Sequence, residues 1–275
     1  MNEIIHYFST IPSSHRAGIL AGGIALFWIL ESAVPFVKFQ YNKWQHASIN
    51  LFFTFTTIVI NFVLAFILLR TAEYTDTNKI GLLNWLPKMN IGWYTLVGLL
   101  LMDFIGAYLA HYTEHKIKLL WRFHLIHHSD TYIDTTSGNR HHPGESIIRF
   151  VFTTLGVLLI GTPMWMVFLY QTLSVVATQF NHANICLPKK IDQWMSYILV
   201  SPDMHKIHHH YKLPYTDSNY GNIFSIWDRI LGTFTYMDRE NIVYGIDTHQ
   251  DPKENNQLGN LLKIPFQSLR HPNEE

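Results

Sequence analysis

Long apolar runs separated by short polar stretches occupy the first two thirds of the chain. The hydrocarbon core of a bilayer, about 30 Å thick, is crossed by roughly 20 mainly apolar residues in a helix. Residues 17–36 meet that requirement with Glu31 near one end, residues 47–69 carry no charge, and residues 91–110 are interrupted only by Asp103. Residues 147–180, with Arg149 near their start, are long enough for two passes, but Gly161-Thr162-Pro163 breaks a helix in their middle. The chain is therefore expected to be all-α. It should form an integral membrane bundle of about three spans plus a helical hairpin that dips into the membrane and returns to the same side. A buried core in a soluble protein is the alternative, and three runs this long with so little charge argue against it.

This arrangement predicts the topology. The third span and both ends of the hairpin share one side, which also carries Lys116, Lys118, Arg122, Arg140, Arg149, Lys189, Lys190, Lys206 and Lys212. The other side holds Arg16, Arg70, Lys79 and Lys88. Cytoplasmic loops are enriched in Lys and Arg, so the first side is expected to be cytoplasmic and the N-terminus outside. The first fifteen residues lack the basic start and cleavage site of a secretory signal. Residues 1–275 read as one domain, ending in a polar tail over about 251–275 that is expected to pack loosely.

Composition changes this picture in one respect only. Charged residues make up 15% of the chain and hydrophobic residues 48%, against roughly 25% charged in soluble proteins. A formal net charge of zero gives no electrostatic basis for binding nucleic acid, and the single cysteine, Cys186, rules out an intrachain disulfide. Histidine is the outlier. Twelve of the 17 histidines fall between His111 and His210.

Most of those twelve are spaced to share a helix face. His111 and His115 stand at i, i+4; His124, His127 and His128 stand at i, i+3, i+4; His205, His208 and His209 repeat that set about eighty residues later. With His182, which follows the returning helix of the hairpin, nine imidazoles can be brought together, too many for one metal ion and suited to two. Imidazole suits zinc, copper, iron and nickel. The Glu-x-x-His pairs of carboxylate-rich di-iron bundles are missing, and a structural zinc site would need four ligands, often cysteines. His141, His142 and His210 adjoin better placed histidines or a proline and stay open, while His6, His15, His46, His249 and His271 have no matching spacing. Asp103, about two turns inward from His111, is a candidate for orienting ligand rings or for bonding a neighbouring helix. Asp130, Asp134, Asp203 and Asp228 are weaker candidates for the first of these tasks. His111-x-x-Glu114-His115 also fits an inverted zinc-protease pattern, a reading that leaves the other clusters without a purpose.

Over residues 103–236 the chain resembles the fatty acid hydroxylase/sterol desaturase superfamily of membrane di-iron enzymes. Asp103, Tyr108, His111 and His115 are similar to its Asp…Tyr-x-x-His-x-x-x-His helix. Trp121-Arg-Phe-His124-Leu-Ile-His127-His128-Ser129-Asp130 resembles its most specific segment. Thr135-Thr136 and Arg140-His141-His142-Pro143-Gly-Glu145 resemble a loop that usually reads Arg-x-His-Pro, which favours His142 of that pair as a catalytic residue beside Asp103. Phe180-Asn181-His182-Ala-Asn184, Ser201-Pro202-Asp203-Met-His205-Lys-Ile-His208-His209, Asn219-Tyr220-Gly221 and Trp227-Asp228-Arg229 continue the match. The branch with this wording includes bacterial proteins and alkylglycerol monooxygenases. Tyr112 departs from the arginine that many members carry after the first histidine, which bears on surface or substrate contacts rather than on metal.

The resemblance implies two iron ions, with zinc able to replace them on purification, held by His111, His115, His124, His127, His128, His182, His205, His208 and His209. It implies dioxygen-dependent attack on a C–H bond of a lipid under a helical cap, most simply in a bacterial inner membrane. Electrons would come from a separate reductase or reduced donor, since no flavin- or nicotinamide-type glycine motif is visible. Trp121, Tyr170 and Trp227 are candidates for the lipid route or for ordinary packing. A metal transporter or store is the competing reading. Transport sites lie near the bilayer midplane, whereas these clusters lie at span ends, and an inactive scaffold would not need an intact histidine set.

Overall fold

The structure, a computed structural model, describes residues 1–271. Its regular elements are helices, with no strand among the described residues. A short amphipathic helix, α1 (Asn2–Ser9), precedes α2 (Ser13–Ala33), α3 (Lys43–Asn78) and the one-turn α4 (Leu82–Trp85). Next, α5 (Ile91–Asp103) runs through a π-helical stretch, Phe104–Leu109, into α6 (Ala110–Lys116). Then come α7 (Lys118–His128), α8 (Pro143–Ile160) and α9 (Met164–His182), followed by the short helices α10 (Lys189–Met195), α11 (Pro202–His208), α12 (Ile226–Ile230), α13 (Pro252–Asn255) and α14 (Leu258–Lys263).

Four helical stretches are long and apolar enough to cross a membrane: Ser13–Ala33, Lys43–Trp85, Ile91–Lys116 and Pro143–Ile160. Polar caps mark where they start. The Asn42 side chain accepts from the Gln45 amide and the Asn90 side chain from the Trp93 amide, each satisfying an otherwise orphaned donor of a first turn. Outward-facing residues such as Phe62, 82% exposed, leave an apolar belt around the bundle. Inside, Leu68, Leu99, Met102, Val157, Met166 and Val167 join α3, α5, α8 and α9 in one core.

The break in residues 147–180 falls where the sequence places it. Ile160 ends α8, Gly161 caps it with φ +74°, and Pro163 opens α9. Gly161 packs against Ile80 and Gly81, at the far end of α3, so closely that a Cβ there would lie 2.4 Å from the Ile80 carbonyl oxygen. The hairpin therefore reaches the far end of α3 before it returns. Its two outer ends return to the histidines, which is also where α2 ends: the Glu31 carboxylate accepts from the backbone amides of Thr135 and Asn184.

The C-terminal segment departs from expectation. Leu261 and Ile264 are buried with Ile49, Phe53, Leu125 and Ile126, and the Asn255 carbonyl accepts from Arg140 at 2.6 Å. A few apolar residues in a polar stretch suffice to dock it over α3 and α7; residues 272–275 of the predicted tail lie outside the described residues.

Candidate metal centre

Each helix of the cap carries its histidines to a common point. His111 and His115 leave α6 one turn apart, His124 and His128 leave α7 one turn apart, and α11 supplies His208. One ring nitrogen from each of these five lies within 4.8 Å of the others. His127 of α7, His182 at the end of α9, His205 of α11 and His209 just past it form a second group with the same spacing. The groups share a wall: the His128 ring lies 4.5 Å from that of His208 and 4.7 Å from that of His209. All nine histidines singled out for metal thus fall into two adjoining groups, five and four.

The orientation of the rings is set from behind. The Nδ1 atoms of His111 and His208 face the carbonyls of Tyr220 (2.8 Å) and Ser218 (2.6 Å). Those of His115 and His124 face the carboxylates of Asp217 (3.2 Å) and Glu145 (2.7 Å). A carbonyl or carboxylate can only accept, so each Nδ1 carries the proton and each Nε2 presents its lone pair inward. Those four Nε2 atoms are buried and without a protein partner. In the second group, His182 donates from Nδ1 to the Thr178 carbonyl at 2.8 Å. Its Nε2 then faces the Nε2 atoms of His127, His205 and His209 at 3.1, 3.0 and 3.2 Å. One lone pair cannot accept three hydrogen bonds in one place, whereas nitrogens each about 2.1 Å from a single cation stand about 3 Å apart. Burial, reinforced by neighbouring imidazoles, holds His124, His127, His128, His205, His208 and His209 well below the ordinary imidazole pKa, which keeps them neutral.

Two further loops hold this arrangement. Burial works to raise the Asp217 pKa, but hydrogen bonds from His115 and Lys116 prevail and hold it at about 2, so it stays a carboxylate. The loop bearing Tyr220 is gripped from both sides. Asp228, pushed up to about 6 by burial, accepts from the amides of Tyr220 and Gly221, and Asp103 accepts from those of Ile223 and Phe224.

Several predicted residues take other places. Asp103 touches no histidine ring; it bonds the same loop that His111 bonds, because the two residues share a face of one continuous helix. His142 caps α8, its Nδ1 accepting from the Gly144 amide, and packs between Phe123 and Phe266. The neighbour beside the clusters is His141, stacked on His127 at 4.9 Å, with Nδ1 2.7 Å from Glu145. Pro143 explains the exchange, since it starts the helix and turns the preceding side chain into the cap. Asp130 and Asp134 do not reach the ligand rings but clasp His46, which is buried and bonded to both rather than a bystander. Asp203 pairs with Arg239. Glu114 pairs with Arg149 at 2.9 Å, behind the histidines.

Sequence reasoning missed Glu145 and Asp217 as partners of ligand rings. Glu145 had a local signal, the His-His-Pro-Gly-Glu run. Asp217 had none, since it meets His115 only through the fold.

A cavity of 840 Å³ leads from His111, His127, His141, His182 and His205 down between α2, α3, α8 and α9 as far as Arg16 and Phe168. Tyr170 lines it. Trp121 instead packs outside, against His115 and His128, and Trp227 packs against Phe104.

Comparison with known proteins agrees with this geometry. Residues 95–233, half of the chain, match the family model described as fatty acid hydroxylase. Ornithine lipid hydroxylase from Rhizobium tropici is 27% identical over 150 residues, covering 54% of this chain and 44% of that protein. Alkylglycerol monooxygenase from Danio rerio is 30% identical over 146 residues, covering 53% and 31%. A very-long-chain aldehyde decarbonylase from Oryza sativa subsp. indica is 34% identical over 142 residues, covering 50% and 53%. The chain thus spans less than half the length of the first two relatives. No solved structure matches it. The matched residues contain all nine clustered histidines and the loop that orients them, and the chain belongs to the fatty acid hydroxylase family.

Proposed function

We propose that this protein is a membrane-bound lipid oxidoreductase whose nine clustered histidines hold two metal ions. His111, His115, His124, His128 and His208 would hold one, and His127, His182, His205 and His209 the other. The observation that carries this reading is the set of inward-facing, buried, unpartnered ring nitrogens, four of them fixed by Nδ1 contacts to carbonyls or carboxylates. Without a cation, burying so many lone pairs face to face would be costly. Nitrogen ligands suit iron and also accept zinc, so zinc in purified protein would be compatible with iron in the cell. Iron bound there would supply dioxygen-dependent oxidation of a C–H bond, with electrons from a separate reductase or reduced donor.

The chain's own residues do the rest. The cavity takes an apolar chain from the bilayer and excludes water along it, and its upper end aligns that chain against five of the histidine rings. Glu145, shared by His124, His141 and Arg149, fixes two rings at once. The cation-rich histidine face is read as cytoplasmic. A metal store, the competing function, has no use for an apolar cavity that ends on the ligands.

Iron-loaded protein in nanodiscs, given a reduced electron donor, dioxygen and a membrane lipid extract, tests the proposal. The expected product is a lipid with one oxygen added, two hydrogens lost or an ether cleaved, and His208→Ala should abolish it together with part of the bound metal. Full turnover in His208→Ala would contradict the assignment.

A further inference from the structure

The cap carries a surface that does not suit water. On α10, Asp192 points inward to Ser201 and the Asp203 amide, which turns Ile191 and Trp194 outward. Tyr197, Ile198 and Leu199 continue the exposed face beyond the helix, and Ile230 and Leu231 at the end of α12 complete it. Trp194 is 80% exposed and Ile230 70%. Soluble surfaces rarely leave so many large apolar residues together without a partner.

The position of this face in the fold identifies the partner. Trp227 of α12 packs on Phe104 at 4.8 Å, and Asp103 takes the amides of Ile223 and Phe224. The Val200 amide in turn bonds the Ile223 carbonyl, and the Ser225 amide bonds the Ile198 carbonyl, so α10, α12 and the loop between them hang on the helix at the level of residues 103–104. Exposed Trp85, Lys88 and Trp93 mark the other end of that helix as its far interface. Counting roughly 20 helical residues for the hydrocarbon core from Ile91 carries the apolar zone to about residue 110, beyond the level at which α12 is attached. Trp93, Leu96, Leu100 and Phe104 form one stripe at helical spacing along this helix, and α12, whose end carries Ile230 and Leu231, packs on its upper end through Trp227.

We propose that the face formed by Ile191, Trp194, Tyr197, Ile198, Ile230 and Leu231 is embedded in the lipid leaflet on the histidine side, as an interfacial anchor of the cap. Part of the cap then lies within the membrane rather than above it. Its rim fits the headgroup level: Lys189 and Lys190 open α10, and the Arg229 guanidinium, held to the Ser196 carbonyl, lies over the Tyr197 ring at 4.7 Å. Long cations and aromatic rings of this kind settle where hydrocarbon meets water. The anchor would hold α11, which bears His205 and His208, and His209 just past it at a fixed height over the bundle. It does not depend on which metal, if any, the histidines bind.

Site-directed spin labelling in nanodiscs tests the anchor. In a Cys186→Ser background, single cysteines are introduced by Trp194→Cys, Ile230→Cys, Phe62→Cys as the lipid-facing reference and Glu240→Cys as the water-facing reference. Power saturation with dioxygen, which partitions into lipid, and with a polar nickel chelate reads the depth of each label. The labels at 194 and 230 are expected to show a dioxygen-to-nickel accessibility ratio several-fold above that at 240 and closer to that at 62. Ratios equal to that at 240 would overturn the anchor. Shielding from both reagents with spin–spin broadening would assign the face to a second copy and overturn it equally. Lipid exposure at 62 tests the spans themselves, so failure of the anchor is distinguishable from failure of the membrane topology.

Discussion

At the scale of single residues, what matters is how each imidazole is held from behind. His124 and His141 both direct Nδ1 at the same oxygen of Glu145, and Arg149 holds that carboxylate in place. Glu145→Gln would keep the shape and leave one oxygen facing its three partners, but as a neutral and weaker acceptor. Metal affinity is expected to fall about 10–100-fold with the helical fold intact, as read by competition with a chelator; unchanged affinity would show that Glu145 only fills space. Eight of the nine histidines were legible from i, i+3 and i+4 spacing, because a helix converts that spacing into a shared direction, and His182 from its place after the returning helix of the hairpin. Their partners Asp217, Tyr220 and Ser218 were not. These partners meet the rings through long-range packing, and two of them act through backbone carbonyls that every residue possesses. His142, which the resemblance favoured over His141, takes the helix-cap position next to Pro143, while His141 stacks on His127.

At the scale of elements, α5, its π-helical stretch and α6 act as one lever. Asp103 and His111 hold the loop that Asp228 holds from the other side. Asp103→Asn offers one acceptor and one donor where two backbone amides need acceptors, which leaves an amide unpaired at a cost of about 1–3 kcal/mol. A lower thermal midpoint in detergent and weaker metal retention should appear together; an unchanged midpoint and unchanged retention would leave Asp103 without this function. The helical runs and the break at Gly161-Thr162-Pro163 were readable because apolar length and helix breakers act locally. The docking of residues 255–266 was not, since its few apolar residues form no run and gain their burial only against α3 and α7.

At the scale of the whole molecule, the bundle and the histidine cap are joined by the cavity, which the sequence does not display because its walls come from four separate helices. Val175 lines it on α9, seven residues and about two turns below His182. Val175→Trp should block the chain's approach, so turnover on lipid falls at least tenfold while bound metal is unchanged. Wild-type turnover would place the substrate elsewhere. All of this rests on the histidine groups holding two ions, and the most direct test is elemental analysis of protein purified in mild detergent after expression with iron supplied. Two metal ions per chain, iron or zinc that iron can replace under anaerobic reconstitution, are predicted; folded protein that carries no metal and takes none up would contradict it.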